Sequence, residues 1–286
     1  MNAMKLAIPL FVAALVYGPA QGWAAAILGT AETYAVLAGS TVTNTGFTIL
    51  NGNLGLSPGS SVTGFPPGIV NGVQNVANAV ALQAKSDLVT AYNALAGLAV
   101  NTVLTGTDLG GLTLTQGVYF FASSAQLTGQ LILDGAGDPD AFWVFQIGST
   151  LTTASNSSVV FQNEAGNNAP VYWQVGSSAT LGTGTDFVGT IVALTSIGLN
   201  TDADIVCGRA LARNGAVTLD DNTISIGPTT GSTTGCGSLQ LNGGVVTGPG
   251  PGGGEIIPAP EPATLLLFGF GLAGLFAFRK KLVPVA

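Results

Sequence analysis

The sequence predicts a mainly β protein, a β-solenoid of stacked coils with one long α-helix beside it. Three observations predict this. Of 286 residues, 47% are hydrophobic, 7% are charged and 42 are Gly, the reverse of the composition of a disordered chain. Short strand-like runs recur with internal similarity along the second half of the chain. A single segment has helical periodicity. The antiparallel β-sandwich is the alternative, but its turns come at shorter intervals than these repeats.

In chain order, the first element is a leader. Lys5 supplies a short basic region, Leu6 to Val16 an apolar run too short to span a membrane comfortably, and Ala24, Ala25 and Ala26 small residues for cleavage. Residues 1–26 are therefore expected to be a secretory signal peptide, with a buried N-terminal helix as the alternative. The helix is expected between Val76 and Leu98. Val76, Val80, Ala84, Leu88, Ala91, Tyr92 and Leu95 fall at steps of three and four, which makes one apolar stripe. Gly97 is placed to stop it.

The strands follow. Val118-Tyr119-Phe120-Phe121, Phe142-Trp143-Val144-Phe145, Val171-Tyr172-Trp173 and Ile191-Val192-Ala193 are apolar, aromatic or β-branched runs between turn residues. Gly148-Ser149-Thr150-Leu151 after one aromatic strand resembles Gly176-Ser177-Ser178-Ala179 after the next. Aligned on a central leucine, the copies place Leu127, Leu151, Leu181, Leu199 and Leu219 at intervals of 24, 30, 18 and 20. Repeats of this length made of short strands suggest stacked coils with an internal leucine ladder and corner loops of unequal length.

The end of the chain has three parts. Residues 242–257, with Gly248 to Gly254 reading GPGPGGG, are expected to be a linker. Pro260-Glu261-Pro262 is followed by an uncharged apolar run, 263–278, and then by Arg279-Lys280-Lys281. Sixteen residues make a helix of about 24 Å, slightly short for a bilayer core of about 30 Å. The basic cluster sits where a cytoplasmic flank is expected. This order of motif, short span and basic tail resembles the PEP-CTERM sorting signal. The resemblance implies that residues 258–286 are a temporary membrane anchor, recognised by an exosortase and cut near Pro260-Glu261-Pro262. A permanent C-terminal anchor is the alternative.

Between the two end signals, Ile27-Leu28-Gly29-Thr30-Ala31, Gly110 to Tyr119, Phe145 to Leu151, Trp173 to Ala179 and Gly208 to Arg213 together resemble the microbial ice-binding-like domain family. The resemblance covers about Ile27 to Ile226, and the domain is expected to span residues 27–241. It implies a right-handed, triangular β-helix with the long helix packed along one face. N-terminal segments would form the end coils. It also implies that ice is the partner, bound without any cofactor by a flat face. Some members carry Thr-Ala/Gly-X-Thr/Asn along that face. Thr153-Ala154-Ser155-Asn156 fits the pattern, and Thr183-Gly184-Thr185-Asp186 fits three of its four positions. The expectation is that Thr153 and Thr183 project from one face, and that Asp186 and Asp202 disturb it with hydrated charge. Replacing those two with Thr is then expected to raise activity. The function expected is that of a secreted ice-binding protein, antifreeze or recrystallisation-inhibiting. The alternative is an extracellular surface or matrix protein on the same scaffold.

Other chemistries find little support. The chain has no His, which removes the commonest general base and metal ligand, and no enzyme activity is expected. Without the end signals, Lys85, Arg209 and Arg213 face thirteen acids, a net charge of −10. Such a surface repels nucleic acid and anionic lipid, so the C-terminal anchor would be the only membrane contact. Asp134, Asp138 and Asp140 could approach a Ca²⁺ ion, but a solvated acidic turn explains them more simply. The same holds for Asp202, Asp204, Asp220 and Asp221. Arg209 and Arg213 are expected to bond carbonyls or carboxylates at a coil edge. Cys207 and Cys236 are the only cysteines; in an exported protein an even pair is expected to form a disulfide. Two thiols do not make a metal site.

The processing expectation is open to mass spectrometry of the intact released protein. A chain ending near Pro262 is expected. A released species that still contains Phe278 or Arg279 would contradict the cleavage.

Overall fold

Runs such as Ala125–Leu127, Leu151–Thr153 and Ala179–Leu181 bury their first and third residues and expose the second. A strand of this kind cannot cover its backbone groups alone. It does so by lying in register on an equivalent strand of the next coil, and the chain repeats this on three sides. The computed structural model describes residues 25–138, 140–163, 169–227, 237–242 and 245–247. Most of the expected leader, Cys236, Pro260-Glu261-Pro262 and the apolar run 263–278 lie outside them. No helix among the described residues is long and apolar enough to cross a membrane.

Three parallel sheets of nine, seven and eight strands form the sides of the solenoid. The stack is not built in chain order. Five successive coils run from Gly117–Phe121 to Thr223–Ser225. The N-terminal strands then continue the stack beyond them. Tyr34–Ala38 lies parallel to Ala210–Ala212, Thr41–Thr45 to Val217–Asp220, and Ile49–Asn51 to Thr223–Ser225. The end coils therefore come from residues 34–76, as the family resemblance implies.

The interior is filled by rows of inward side chains. Leu127 stands opposite Thr153, Leu181 opposite Leu199, and Leu219 opposite Asn44. This is the leucine ladder with one correction. Leu151 belongs to the neighbouring inward row, beside Ala125 and Ala179, because its coil is offset by two residues. A second row stacks Tyr119 on Phe145 at 5.5 Å and Phe145 on Trp173 at 3.9 Å between ring centroids. The indole N–H groups of Trp143 and Trp173 donate to the carbonyls of Leu114 and Val188 at 3.0 Å, so the buried rings leave no donor unpaired. The longer coils carry their extra residues between Asp134 and Trp143 and between Gln162 and Val171.

The helix spans Ala79–Ala96, inside the expected limits. Asn78 caps it, its side chain accepting from the Ala81 N–H at 2.9 Å, and it ends at Gly97. Its buried stripe is Ala81, Ala84, Lys85, Leu88, Ala91 and Leu95. Val80 was expected in the stripe but is 58% exposed, and Val76 lies in the strand Gln74–Val76, before the helix begins; Ala84, Leu88, Ala91 and Leu95 keep the expected phase. An 18-residue helix is about 27 Å long, enough to cover about six strands spaced at 4.8 Å. It packs on the outward residues of the nine-stranded sheet: Leu37, Val118, Val144, Tyr172, Val192 and Leu211.

Polar clamps hold the helix there. Gln146 Nε2 donates to the Leu95 and Leu98 carbonyls at 2.8 and 3.0 Å. The buried Lys85 ammonium donates to the carbonyls of Ala212 and Arg213. The Arg213 guanidinium lies 4.5 Å over the Tyr92 ring. Arg209 pairs with Glu32 at 2.8 Å, and Ser238 Oγ donates to the same carboxylate at 3.3 Å. The last strands follow from this contact. Gln240–Asn242 pairs antiparallel with Ala25–Ala26 and with Val245–Thr247, while Leu239 and Val246 join the core under the helix. These strands include Ala25 and Ala26, expected in the leader, and Asn242, Val245, Val246 and Thr247, expected in the linker.

Burial, helped by the neighbouring Arg213 charge, pulls the Lys85 ammonium down to about 8. In the unfolded chain it would keep its proton to about pH 10.4. Between those values the unfolded state binds more protons, so this group's contribution to stability rises with pH. Burial raises Tyr34, Tyr119 and Tyr172, which act in the opposite sense only above about pH 10. Thermal melts from pH 7 to 9.5 are expected to show a rising Tm, and the rise should vanish in Lys85→Met. A parent protein whose Tm is level or falling over that range would refute the assignment.

Candidate functional site

With the nine-stranded face under the helix, two faces remain open. On the seven-stranded face, register aligns one residue of each strand into an outward row: Gln126, Thr152, Thr180, Gly198, Thr218, Thr43 and Thr63. All are exposed except Gly198, which is half-buried. Two residues earlier along each coil runs a second row, Ser124, Thr150, Ser178, Ser196, Ala216, Thr41 and Ser61. None of these residues is charged; at the end of the stack Asp108 stands opposite Gln126 and accepts from Thr128. Successive members stand about 4.8 Å apart along the stack. The second row is tied laterally: Thr150 Oγ1 donates to Ser124 Oγ at 2.8 Å, Ser178 Oγ accepts from the Ser196 N–H at 3.3 Å, and Ser196 Oγ accepts from the Ala216 N–H at 3.2 Å. Threonine adds a stiff χ1 and a methyl group beside each hydroxyl. The result is a flat, rigid array of hydroxyl and methyl groups.

The eight-stranded face is different. Asp186 stands directly opposite Asp204. Burial raises Asp204, as do the charges of Asp186 and Asp202, while a hydrogen bond from the Thr223 N–H opposes the rise. Beside them Val188 stands opposite Val206. The acidic loop is held by its own turns. Asp134 Oδ1 accepts from the Ala136 N–H and from Asn163 Nδ2, both at 2.9 Å, and Asp138 accepts from the Asp140 N–H and from Gln116 Nε2, also at 2.9 Å. Among the described residues no three His, Cys, Asp or Glu side chains converge as a metal site. Cys207 is disulfide-bonded.

The Thr-Ala/Gly-X-Thr/Asn segments form the corner between the two open faces, which corrects the expectation for several residues. Thr153 is 3% exposed and Thr185 is fully buried. Their hydroxyls meet at 2.9 Å inside the coil. Thr153 Oγ1 also accepts from the Gly182 N–H at 2.8 Å, and Thr185 Oγ1 donates to the Ala154 carbonyl at 3.2 Å. Thr153 follows Leu151 at the period-two step that keeps both inward. Ala154, Ser155, Asn156 and Thr183 are exposed on the corner and Gly184 is partly exposed. Asn156, Gly184, Asp202 and Asp221 turn it, with φ of 56°, 64°, 57° and 53°, a region Gly, Asn and Asp enter most readily. Asp202 is therefore a corner residue, and Asp186 belongs to the other face. The threonines of the outward row, Thr152 and Thr180, lie one residue before Thr153 and three residues before Thr183. The alternation inward, outward, inward in Leu151-Thr152-Thr153 and Ala179-Thr180-Leu181 is the signal that locates them. Thr43 and Thr63 reach the row only through the non-local stacking of the N-terminal coils.

Residues 36–225 match the model of the ice-binding-like family, and residues 258–281 match the PEP-CTERM protein-sorting motif. An ice-binding protein of Nostoc sp. (strain HG1) is 53% identical over 281 residues, covering 97% of this chain and 96% of that one. An ice-binding protein of Colwellia sp. is 33% identical, over 78% of this chain and 93% of the relative. Among solved structures, the ice-binding protein of the Antarctic ascomycete Antarctomyces psychrotrophicus superposes with a TM-score of 0.67 at 41% identity, over 72% of this chain and all of that one. An ice-binding protein from an Antarctic biological consortium superposes at 0.66 with 45% identity, over 78% and 96%.

The corner assignment has its own test. Thr153→Val keeps the shape but removes the hydroxyl that serves both Gly182 and Thr185. The substitution is expected to cost about 1–3 kcal/mol, the penalty of leaving buried polar groups unpaired, and urea unfolding reads it directly. A stability unchanged within about 0.5 kcal/mol, as for a surface site, would place Thr153 outside.

Proposed function

The chain belongs to the ice-binding-like family, and from that premise we propose that it binds ice through the seven-stranded face. The observation that carries this is the pair of uncharged rows, Gln126 to Thr63 and Ser124 to Ser61, laid in register on parallel strands. Ice presents a repeating array of water oxygens on a plane. A ligand of that kind calls for a plane of weak hydrogen-bonding groups at a regular repeat, held still before contact so that little entropy is lost on binding. Methyl groups between the hydroxyls order the intervening water. A carboxylate keeps its own hydration shell, so the face with Asp186 and Asp204 suits the task less well. The relatives' names supply the ligand, and the face supplies the means.

Export fits this reading. The sorting motif suggests passage through a membrane-anchored stage, and we place the anchor in residues 263–278 and the exosortase cut near Pro260-Glu261-Pro262. Cys207 is disulfide-bonded, and we assign Cys236 as its partner; the bond would tie the segment leading to Leu239 against the solenoid.

Thr180→Tyr and Thr218→Tyr each raise a ring above the plane at an exposed site. Both are expected to lose most thermal hysteresis and recrystallisation inhibition, with stability changed by no more than about 0.5 kcal/mol. Asp186→Thr, on the other face, should leave ice activity as it was. If both tyrosine variants shape ice as the parent does, the face is wrong; a parent with no effect on ice growth leaves the scaffold with a structural role instead.

A further inference from the structure

Gly198 occupies the middle of the outward threonine row, between Thr180 and Thr218. Three described glycines lie inside strands: Gly55, Gly117 and Gly198. A side chain on Gly55 would collide with Leu37 and Tyr34, and Gly117 has a φ of 153°. Gly198 has neither reason to be glycine. Its φ lies outside the left-handed region, and a Cβ built there meets nothing within 4 Å. The corner glycines make the contrast plain: on Gly148, Gly176, Gly182 and Gly215 a side chain would press into the adjacent coil. Glycine weakens a strand interior through its chain entropy and its lack of packing. Nothing inside the protein calls for it at 198, so the reason lies on the solvent side, where glycine allows close approach of a ligand.

We propose that Gly198 is a specificity-determining position of the ice-binding face, a notch one side chain deep that admits a water of the ice surface between Thr180 and Thr218. The inference rests on the ice-binding reading given above. The two threonines stand about 9.6 Å apart, two strand spacings, so a water seated between them reaches below the plane of their methyl groups. Ser196, whose Oγ is fixed by the Ala216 N–H, borders the notch along the strand. The ligand at this point is water held by the lattice, and the face is keyed to it by shape as well as by its hydroxyl row.

The consequence runs against simple ladder logic. Gly198→Thr would complete the threonine row and favour the strand, yet it fills the notch. The purified protein carrying Gly198→Thr is expected to have a Tm equal to or above the parent's. Its thermal hysteresis should fall, with about tenfold more protein needed for the same recrystallisation inhibition, the effect of one lost contact of ordinary strength. Gly198→Ala, which fills less, should fall between. Fluorescently labelled protein adsorbed to a single ice hemisphere should mark a different or smaller set of planes in Gly198→Thr. A Gly198→Thr protein as active as the parent, or more active, on the same planes overturns the proposal. If Thr180→Tyr abolishes activity in the same experiment, the ice-binding reading stands while the notch falls. If Thr180→Tyr and Thr218→Tyr also leave activity intact, the face itself is wrong.

Discussion

When one parallel strand is laid on another in register, every side chain sits on its counterpart in the coil below. The rest of this structure depends on that constraint. It turns the inward alternation of each short strand into continuous rows of leucine and aromatic rings, such as Tyr119 on Phe145 on Trp173. It turns the outward alternation into continuous rows on the surface. A coil cannot move one residue out of phase without exchanging its inner and outer sets. Interior packing therefore holds the outer rows in line, and the flatness of the seven-stranded face is a by-product of filling the core.

Corner chemistry keeps the register from slipping. On the edge between the two open faces, residues 154–157 and 182–185 make the same turn in successive coils, with Asn156 and Gly184 at the positive-φ step. The hydroxyls of Thr153 and Thr185 close that turn from inside. The corner between the eight-stranded and helix-covered faces is far less uniform. Eight residues separate Asp134 from Trp143, and one separates Val188 from Thr190. The widest variation falls at a corner that borders neither hydroxyl row; in the five successive coils the corner between the open faces varies less, from two residues between Leu127 and Gln130 to four between Thr153 and Ser158.

Much of this was legible in the chain. The helix, the strand repeats and four of the five ladder leucines could be read because each depends on periods of two or three to four residues within a short window. The offset of Leu151 could not, because equal-looking repeats hide which of two inward positions faces which. The candidate site was read onto the corner for the same reason, one residue past Thr152 and three past Thr180: Thr153 and Thr185 are hydroxyl residues in inward places, where a buried partner rather than solvent satisfies them. Thr43 and Thr63 had no local signal. Thr43 stacks on Thr218, 175 positions later in the sequence, and Thr63 joins the row through Thr43; over such a distance pattern carries no information about contact.

Charge is kept out of the two hydroxyl rows, although the strand that carries Thr218 ends in Asp220, which accepts from Thr201 Oγ1. The cations among the described residues all work on the helix-covered side. Lys85 and Arg213 clamp the helix, and Arg209 binds Glu32 at the N-terminal turn. The paired carboxylates Asp186 and Asp204 face the other way. On the proposed reading, an ion in either row would hold hydration water in an arrangement unlike the ice lattice. The helix thus does more than bury apolar surface. By taking one face into the core and engaging the basic side chains there, it leaves the adjoining face free to be uniform. Uniformity, more than the strength of any single contact, is what a repeating ligand can read.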